Sequence, residues 1–408
     1  MVPTAAVSSV TPKSGRKTAQ AKRDKKRHKG LAEVPLQIID KPAVPPNVDP
    51  NDLISIENMT LIGSYSWVDS AEPTILVPGS PPVWRNRPTP YTLAPDKKSF
   101  VYEDAYRMPR FPNLARMRAI DIMTKEKGIH IDWPGIDFIT DRNALRKLLK
   151  WASGSSGKEF RIDLELVGER MVCLNRWEPN NQDVNHRRQP GYGHRFELES
   201  TRAAPGCGGT TGHHRISSYT FGGLKMIVSY EVDACTPTST PSATRTAAVD
   251  SHRPSKPSAP GSSRAGASKS NKALNIVRAG YEVPQDSLIE LKSSAKITWT
   301  DTYPQLYFGQ IPYLYRGIHD LGKVRQIVKR ERTEEALLRI DGALQANIRK
   351  LRDALRIIQT LVVEHGRHGR LTVLYEQKHD RRLEVYRRTS QASCLPPEIL
   401  RRFETPEA

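Results

Sequence analysis

Two short apolar segments that carry acids place the tightest constraint on how this chain can fold. One ends in Tyr-Glu-Val-Asp and the other contains Ile-Glu-Leu-Lys. β-Branched and apolar residues dominate both segments, which predicts two β-strands. Side chains two positions apart on a strand point to the same face, so Glu231 shares a face with Asp233, and Glu290 with Lys292. If the strands pair, three carboxylates and one ammonium group crowd one patch, which a divalent cation would stabilise.

A second pair of acids, Asp163 and Glu165, has the same spacing and provides a comparison. Apolar residues alternate with these acids, as in a half-buried strand, so we expect their charges to be solvated. The residues that precede Glu231 are instead apolar on both faces, as in a central strand. Unpaired charges in such a position are costly, and Glu231 and Asp233 therefore need a functional explanation.

Composition favours an acidic partner. The chain has 408 residues and a formal net charge of +19, which points to nucleic acid before membrane or acidic protein. Its four cysteines are far apart and form no Cys-x-x-Cys pair, which favours a reducing compartment and argues against a structural zinc site. No apolar run approaches the roughly 20 residues of a membrane helix, so we expect a soluble, intracellular protein without membrane contact.

Shifts in composition predict one catalytic domain that is interrupted once. Large apolar residues are scarce at the start, and a Ser-, Thr-, Pro- and Ala-rich stretch that cannot build a core divides the rest. The predicted segments are a disordered basic tail (1–50), the first part of the domain (51–235), a low-complexity insertion (236–272), the remainder of the domain (273–390) and a flexible tail (391–408).

The basic run at residues 22–29 has two interpretations. It fits a nuclear-import signal, which would place the protein in the nucleus, or an arm that contacts RNA. It equally fits a tail that only increases solubility. The sequence alone does not decide between them.

The periodicity of the apolar residues predicts an α/β (α+β) fold with a mixed sheet and flanking helices. One long helix spans residues 333–364, and we favour its packing on the sheet over a coiled-coil dimer. Residues 80–130 are rich in Pro and Arg and predict an irregular wrap over the core. The other predicted elements are strands at 53–65 and 73–78, a short helix from Asp141, a hairpin at 160–174 and a closing hairpin at 371–386.

The spacing Glu-x-Asp … Glu-x-Lys is typical of metal-dependent nucleases, although many ordinary strands share it. Carboxylate oxygens suit the hard ions Mg²⁺ and Mn²⁺. One or two such ions would activate a water, hold the scissile phosphate and stabilise the leaving oxygen. Lys292 would orient the water or neutralise charge that develops on the phosphate.

Two other stretches are weaker candidates. A Gly-rich turn at Gly191 leads to a further carboxylate, Glu197, which is equally an exposed acid after a turn. The glycines at 206–212 lack the Gly-Lys-Ser/Thr ending of a P-loop. His213 and His214 are adjacent, so on regular structure they diverge, and RNA contact or core packing is a better explanation for them than a shared metal.

The order of these motifs resembles that of the DXO-type RNA decapping nucleases, which remove defective or non-canonical RNA 5′ ends. The resemblance covers residues 136–325. The matching pieces are the Ile-Asp-Phe-Ile-Thr-Asp-Arg segment that ends at Arg142, the Gly-rich element that ends at Glu197, Glu231-Val-Asp233, Glu290-Leu-Lys292, and the Gln-Leu-Tyr-Phe-Gly-Gln-Ile-Pro segment that starts at Gln305 and is followed by Arg316-Gly317.

The resemblance implies a nuclease core of the PD-(D/E)xK kind, with one or two Mg²⁺ or Mn²⁺ ions. Lys292 and Gln305 would position the nucleophile, and Arg142 would bind substrate phosphate. RNA would be the substrate, and some members of the family bind a nuclear 5′–3′ exoribonuclease. The metal ligands that the resemblance implies, direct or through water, are Glu197, Glu231, Asp233 and Glu290.

Departures from the family pattern keep alternatives open. Asp141 replaces an aromatic residue, Asn143 replaces a glycine, and Leu-Tyr follows Gln305 where the family has Ser-Phe. The first hypothesis is a metal-dependent hydrolase of RNA 5′ ends by decapping, pyrophosphohydrolysis or 5′–3′ exonuclease action. The second is a catalytically impaired RNA-binding or adaptor protein with the same fold. DNA cleavage stays open, whereas an isoprenoid-diphosphate enzyme would need Asp-rich motifs that are absent from the sequence.

Overall fold

The structure, a computed structural model, describes most of the chain. The predicted low-complexity insertion lies outside the described residues except for its first two positions. The described ranges are 14–43, 53–96, 99–155, 157–179, 182–184, 191–237, 273–366, 369–377 and 382–403.

The described residues form α-helices, short 3-10 helices and β-strands. The α-helices are α1 (Ser14–Arg27), α2 (Glu103–Arg107), α3 (Leu114–Lys127), α4 (Arg142–Ala152), α5 (Gly193–Ser200), α6 (Trp299–Gly309), α7 (Glu335–His365) and α8 (Pro397–Leu400). The 3-10 helices are Trp133–Gly135, Gln285–Ser287 and Arg401–Phe403. The strands are β1 (Gln37–Ile39), β2 (Ile56–Val68), β3 (Thr74–Gly79), β4 (Val83–Trp84), β5 (Tyr91–Thr92), β6 (Ser99–Val101), β7 (Phe138–Asp141), β8 (Phe160–Val167), β9 (Met171–Trp177), β10 (Gln182–Val184), β11 (Thr201–Arg202), β12 (Thr210–Phe221), β13 (Leu224–Glu231), β14 (Ala234–Cys235), β15 (Asn275–Gly280), β16 (Leu288–Ser293), β17 (Tyr313–Asp320), β18 (Lys323–Glu331), β19 (Leu371–Tyr375) and β20 (Leu383–Arg387).

Two mixed sheets carry the fold, which confirms the predicted α/β class. The large sheet has the order β1-β20-β19-β8-β9-β7-β13-β12-β2-β3-β15, and the small sheet has the order β11-β4-β14-β16-β17-β18-β5. Strands β6 and β10 form a separate two-stranded sheet. The predicted hairpins β8–β9 and β19–β20 are both present and antiparallel.

Strand β13 is a central strand, as its sequence predicts. It pairs with β7 in parallel and with β12 in antiparallel orientation. Ile227 and Val228 are both fully buried, and they belong to different apolar clusters on the two faces of the sheet. Helix α7 packs against α4 and the β8–β9 hairpin of its own chain and ends before Gly366, in agreement with the predicted packing on the sheet.

The two acid-bearing strands do not pair with each other, which corrects one premise of the sequence argument. Strand β13 lies in the large sheet and β16 in the small sheet. After Glu231 the chain crosses between the sheets through Val232 and Asp233 and continues as β14. That strand pairs antiparallel with β16, with Ala234 opposite Ile289. The acids therefore meet where the two sheets meet.

The comparison pair Asp163 and Glu165 is buried, which shows that the predicted solvation of these acids was wrong. Asp163 is 8% exposed, and its carboxylate accepts hydrogen bonds from Arg161 Nε at 2.7 Å and Thr372 Oγ1 at 2.8 Å. Glu165 is also buried and pairs with Arg370. Arginines pair with the acids on this face of β8, so the alternation of apolar and charged residues along the strand does not show which of them are exposed.

The described part of residues 1–50 differs from the expected disordered tail. Residues 14–27 form α1, and β1 pairs antiparallel with β20 at the edge of the large sheet. Arg27 is 6% exposed and pairs with Glu159 at 2.6 Å and Glu376 at 3.1 Å. Ion pairs and strand pairing hold this segment, which explains why its low apolar content was misleading.

Two other segments also differ from the predictions. The expected irregular wrap at 80–130 contains α3, whose buried residues include Met117 and Ile120 and which packs on β2. In the expected flexible tail at 391–408, the described residues Leu395 and Phe403 are buried. Among the described helices, none combines the length and the apolar character that a membrane crossing requires.

The buried network around Asp163 leads to a stability prediction. Asp163→Asn keeps the shape of the side chain but leaves Arg161 buried without its counter-charge, which costs about 3 kcal/mol. We expect a decrease of that size in the free energy of unfolding, measured by urea denaturation. Asp320→Asn is the control, because Asp320 pairs with Arg325 at the exposed surface and exposed pairs contribute little. Equal stability of the Asp163 variant and wild type would contradict the prediction.

Candidate active site

Glu290 lies at the centre of a buried ion network between the two sheets. Its side chain is 1% exposed and accepts a hydrogen bond from Lys292 Nζ on Oε1. Arg142 Nη1 donates to the other oxygen, Oε2, at 3.0 Å. Burial alone would raise the pKa of Glu290, but the two cations outweigh burial and lower it to about 2. Glu290 is therefore ionised across the physiological range.

Arg142 connects this carboxylate to both neighbouring elements. It is the first residue of α4, and the side chain of Asp141 caps the helix by accepting a hydrogen bond from the Ala144 amide at 2.8 Å. The Arg142 guanidinium also donates to the main-chain oxygens of Gln305 at 3.1 Å and Glu231 at 3.0 Å. These contacts show Arg142 as a buried structural link among the site residues.

Asp233 is held at the crossing between the sheets. Its Oδ2 accepts a hydrogen bond from the Leu291 amide at 2.8 Å and lies 3.9 Å from Lys292 Nζ. Burial and the charge of Glu290 raise the pKa of Asp233 from 3.8 to about 7. Glu231 ends β13 with an exposed side chain, directly before this crossing.

Glu197 approaches the site from α5, a helix that follows the position where the sequence indicated a Gly-rich turn. Its side chain is 40% exposed, and its Oε2 lies 3.9 Å from His194 Nδ1. Desolvation raises its pKa well above the usual range, and the negative charges of Asp233 and Glu231 raise it further. Helix α5 packs on β16, which places Glu197 across from the other acids.

Gln305 reaches the site through its backbone. Its main-chain oxygen accepts from Arg142, whereas its side-chain Nε2 donates to the oxygen of Asp301 within α6 at 3.2 Å. In this conformation, the Gln305 amide nitrogen is therefore used inside its own helix.

The donor set fits a divalent cation by chemistry and by charge. The four predicted carboxylates outnumber the cationic side chains that act on them, Arg142, Lys292 and Arg146, and the charge of the neighbouring acids is one cause of the raised pKa of Asp233. Oxygen ligands of this kind suit Mg²⁺ or Mn²⁺. In the structure, the ligand oxygens of these four carboxylates do not all lie within 4.8 Å of one another.

A tighter triad of acids occurs elsewhere, and it is already neutralised. Among the described residues, the group whose ligand atoms all lie within 4.8 Å of one another is Asp24, Glu159 and Glu376. Arg27 contacts all three, and His28 lies 3.1 Å from Glu376. This cluster is therefore an ion-pair network that holds α1 in place.

Two residues near the predicted site, Glu103 and Arg146, were not indicated by the sequence, and a third, His214, was expected to contact RNA or pack in the core. Glu103, from α2, faces Glu231, and the histidine next to them is His214, the cross-strand neighbour of Glu231. Arg146 lies one turn after Arg142, and burial together with the Arg142 charge lowers its pKa to about 10. The spacing of four residues on a helix could have indicated Arg146. No local pattern indicates Glu103.

Comparisons with known proteins support the fold. A family model described as "Domain of unknown function (DUF8563)" matches residues 34–404. No curated protein matches the chain at a significant level. The fold is that of several solved Rai1 structures, all of low sequence identity, so the predicted resemblance is confirmed for the fold.

Three of these structures show the extent of the likeness. Rai1 of S. pombe has a TM-score of 0.54 and 15% identity, and the match covers 86% of this chain and 99% of that one. Rai1 of Scheffersomyces stipitis, in complex with (3′-NADP)⁺ and a calcium ion, has a TM-score of 0.54 and 10% identity over 91% and 97% of the chains. Rai1 of Candida albicans, in complex with pU5-Mn²⁺, has a TM-score of 0.52 and 11% identity over 87% and 98%.

The raised pKa of Asp233 predicts how stability depends on pH. Between about pH 4 and its folded-state pKa of about 7, Asp233 holds a proton that the unfolded chain releases. The free energy of unfolding should therefore fall as pH rises through this window in EDTA-treated protein. Asp233→Asn should make the fall shallower, by up to about 1.4 kcal/mol for each pH unit.

Urea denaturation between pH 4.5 and 7.5 measures this slope. Asp320→Asn, at the exposed ion pair with Arg325, is the control and should keep the wild-type slope. An unchanged slope in the Asp233 variant would show that this carboxyl is ionised throughout the range.

Proposed function

This chain belongs to the family described as a domain of unknown function (DUF8563), and we propose that it is a metal-dependent hydrolase that acts on RNA 5′ ends. The observation that carries the proposal is the meeting of acids from both sheets around a buried cationic pair. Asp233 and Glu290 have pKa values shifted in opposite directions, to about 7 and about 2, within one hydrogen-bonded cluster. Strongly perturbed groups of this kind are concentrated at functional sites.

A bound Mg²⁺ or Mn²⁺ ion, or two such ions, would supply an activated water and stabilise charge on the phosphate. Lys292 would orient the attacking water or offset developing charge, and the position of its Nζ between Glu290 and Asp233 supports this role. Arg142 fixes the position of Glu290, and we propose phosphate binding as a further role for it. Gln305 would help to position the nucleophile once its side-chain amide no longer donates to the main-chain oxygen of Asp301. The ligands would be the four carboxylates Glu197, Glu231, Asp233 and Glu290.

The net charge of the chain favours a polynucleotide substrate. The chain has a net charge of +19, and such an excess binds phosphates electrostatically. A cavity of about 440 Å³ lies along α4 and α6, and its lining includes Arg146 together with Lys147 and Lys150, which pair with Glu178 and Asp301. The fold neighbour from C. albicans was crystallised with pU5-Mn²⁺, which supports both RNA and a divalent cation as partners here.

The type of RNA 5′ end that is cleaved, the protein partner and the cellular location are further parts of the proposed function. The motif order supports decapping, 5′-pyrophosphohydrolysis or 5′–3′ exonuclease action, with a nuclear 5′–3′ exoribonuclease as a protein partner. Nuclear localisation would use the basic run at 22–29. Lys22, Arg23 and Lys25 in this run are exposed on α1, so they are accessible to an import receptor even though Arg27 is buried.

One observation favours a second candidate, a non-catalytic RNA-binding or adaptor protein. Both oxygens of Glu290 are occupied, one by Lys292 and one by Arg142, so this carboxylate is neutralised without a metal. For such a protein we expect no Mn²⁺ site and RNA binding that weakens steeply with salt. Isothermal titration with Mn²⁺ and RNA binding at several salt concentrations separate the two candidates.

Two acids on α5 allow a matched test of the enzyme. Glu197 faces the site, whereas Glu199, two residues later, pairs with Arg87 at 2.8 Å. Glu197→Gln should reduce hydrolysis by at least about 100-fold, because it removes an oxygen charge that would bind the metal. Glu199→Gln should keep wild-type activity. The assay uses Mn²⁺ with 5′-triphosphate, NAD-capped and 5′-monophosphate RNA.

The outcome of the assay is decisive in both directions. Hydrolysis of any of the three RNAs that is lost in Glu197→Gln and kept in Glu199→Gln supports the enzyme. Absence of hydrolysis in wild type, together with RNA binding that needs no metal, assigns the chain to the adaptor class.

A further inference from the structure

Three polar side chains from different elements converge on a small space over Gly212. A methyl carbon built on Gly212 would lie 2.9 Å from Glu103 Oε2, 3.2 Å from Glu231 Oε1 and 3.7 Å from His214 Nε2. Glycine therefore leaves room at this point that any larger residue would fill. The space is bordered by two carboxylate oxygens and one imidazole nitrogen.

The imidazole nitrogen at this space is buried and has no hydrogen-bond partner. His214 lies on β12, directly opposite Glu231 on β13 and Tyr65 on β2. Its ring stacks on Tyr65 with centroids 5.1 Å apart, which fixes its orientation. Nε2 is shielded from solvent and lacks any hydrogen bond within the protein. Leaving a buried polar atom unsatisfied costs about 1–3 kcal/mol, so this nitrogen indicates a missing ligand.

One oxygen of Glu103 is hydrogen-bonded, and the other is turned toward the same space. Its Oε1 accepts a hydrogen bond from Thr211 Oγ1 and lies 3.4 Å from Arg107. Asp104, the next residue, accepts hydrogen bonds from Tyr65 at 2.9 Å and Trp67 at 2.8 Å. The start of α2 is thereby tied to β2 and β12. The second oxygen of Glu103, Oε2, is left to face Glu231 and His214.

We propose that Glu103, Glu231 and His214 form a further divalent-cation site, next to the one formed by the acids between the sheets. The set combines one imidazole nitrogen with carboxylate oxygens, which suits a transition ion such as Mn²⁺ better than Mg²⁺. Glu231 belongs to both sites, so the inference rests on the metal site of the proposed function. A cation here satisfies His214 Nε2 and offsets the repulsion between the two glutamates.

The triad of Asp24, Glu159 and Glu376 differs from the cluster of Glu103, Glu231 and His214 in how its negative charge is neutralised. There a buried arginine, Arg27, contacts all three acids. At the Gly212 space, Arg107 donates a hydrogen bond to Oε1 of Glu103 and not to Oε2. The face of the cluster that meets Glu231 and His214 is thus left for an external cation.

Gly212→Ala tests the site because it fills the space while keeping every ligand atom. Gly212 does not have a left-handed backbone, and its closest neighbours are the ends of flexible side chains, so alanine is compatible with the fold. Gly208→Ala is the matched control, because a methyl group there meets nothing within 4 Å. We expect Gly212→Ala to bind one Mn²⁺ equivalent fewer than wild type, and Gly208→Ala to bind the wild-type number.

His214→Phe provides a second, independent measurement. Phenylalanine retains the stacked ring beside Tyr65 but removes Nε2. Titration calorimetry and the electron paramagnetic resonance signal of free Mn²⁺ count the bound ions. Electron spin-echo modulation should show an imidazole nitrogen on bound Mn²⁺ in wild type, and this signal should vanish in His214→Phe.

The outcomes separate this inference from the proposed function. Loss of one equivalent in both variants, together with loss of the nitrogen signal, supports the site. Equal Mn²⁺ stoichiometry in wild type, Gly212→Ala and His214→Phe overturns it, and RNA hydrolysis that persists in the same samples would leave the proposed function intact. Wild-type protein that neither binds Mn²⁺ nor hydrolyses RNA overturns both.

Discussion

The buried contact of Arg142 with Glu290 is the interaction on which the arrangement of the site depends. Arg142 starts α4 next to the large sheet, and Glu290 lies on β16 of the small sheet. The same guanidinium donates hydrogen bonds to the main-chain oxygen of Glu231, the last residue of β13, and to that of Gln305 within α6. One side chain thus fixes four elements in relation to each other. Breaking such a pair leaves an uncompensated buried charge, so the geometry between the two sheets is strongly determined.

Because Arg142 pairs with the carboxylate of Glu290 and not with that of Asp233, the acids of the site differ in their pKa values. Glu290 contacts both Arg142 and Lys292 and stays ionised. Asp233 is buried beside the negative charge of Glu290, so its pKa rises to about 7. Glu231 stays at the exposed end of its strand. Without a metal, the cluster relieves its excess negative charge by holding protons. A divalent cation would compete with those protons, and the site would then depend on both pH and metal concentration.

The strand pattern and the spacing of the acids predicted much of this arrangement. Ile227 and Val228 indicated a strand buried on both faces, and the spacing of two placed Glu290 and Lys292 together. The crossing at Val232 could not be predicted, because it depends on where β13 ends, at Glu231, and not on any local preference. Glu103 could not be predicted either. Its position beside Glu231 arises from hydrogen bonds between α2 and β2 across about 40 residues of sequence.

The charge balance of the buried clusters gives the strongest physical reason to expect a bound cation. Around Asp163, arginines neutralise the acid from several sides, and Arg27 does the same at Glu376. These clusters are complete with the side chains of the protein itself. Between the two sheets, the carboxylates exceed the cations, and at the Gly212 space an imidazole nitrogen is buried without a partner. Buried charge is retained in proteins when it is paired or when it binds a metal, and here the protein does not supply the full set of partners.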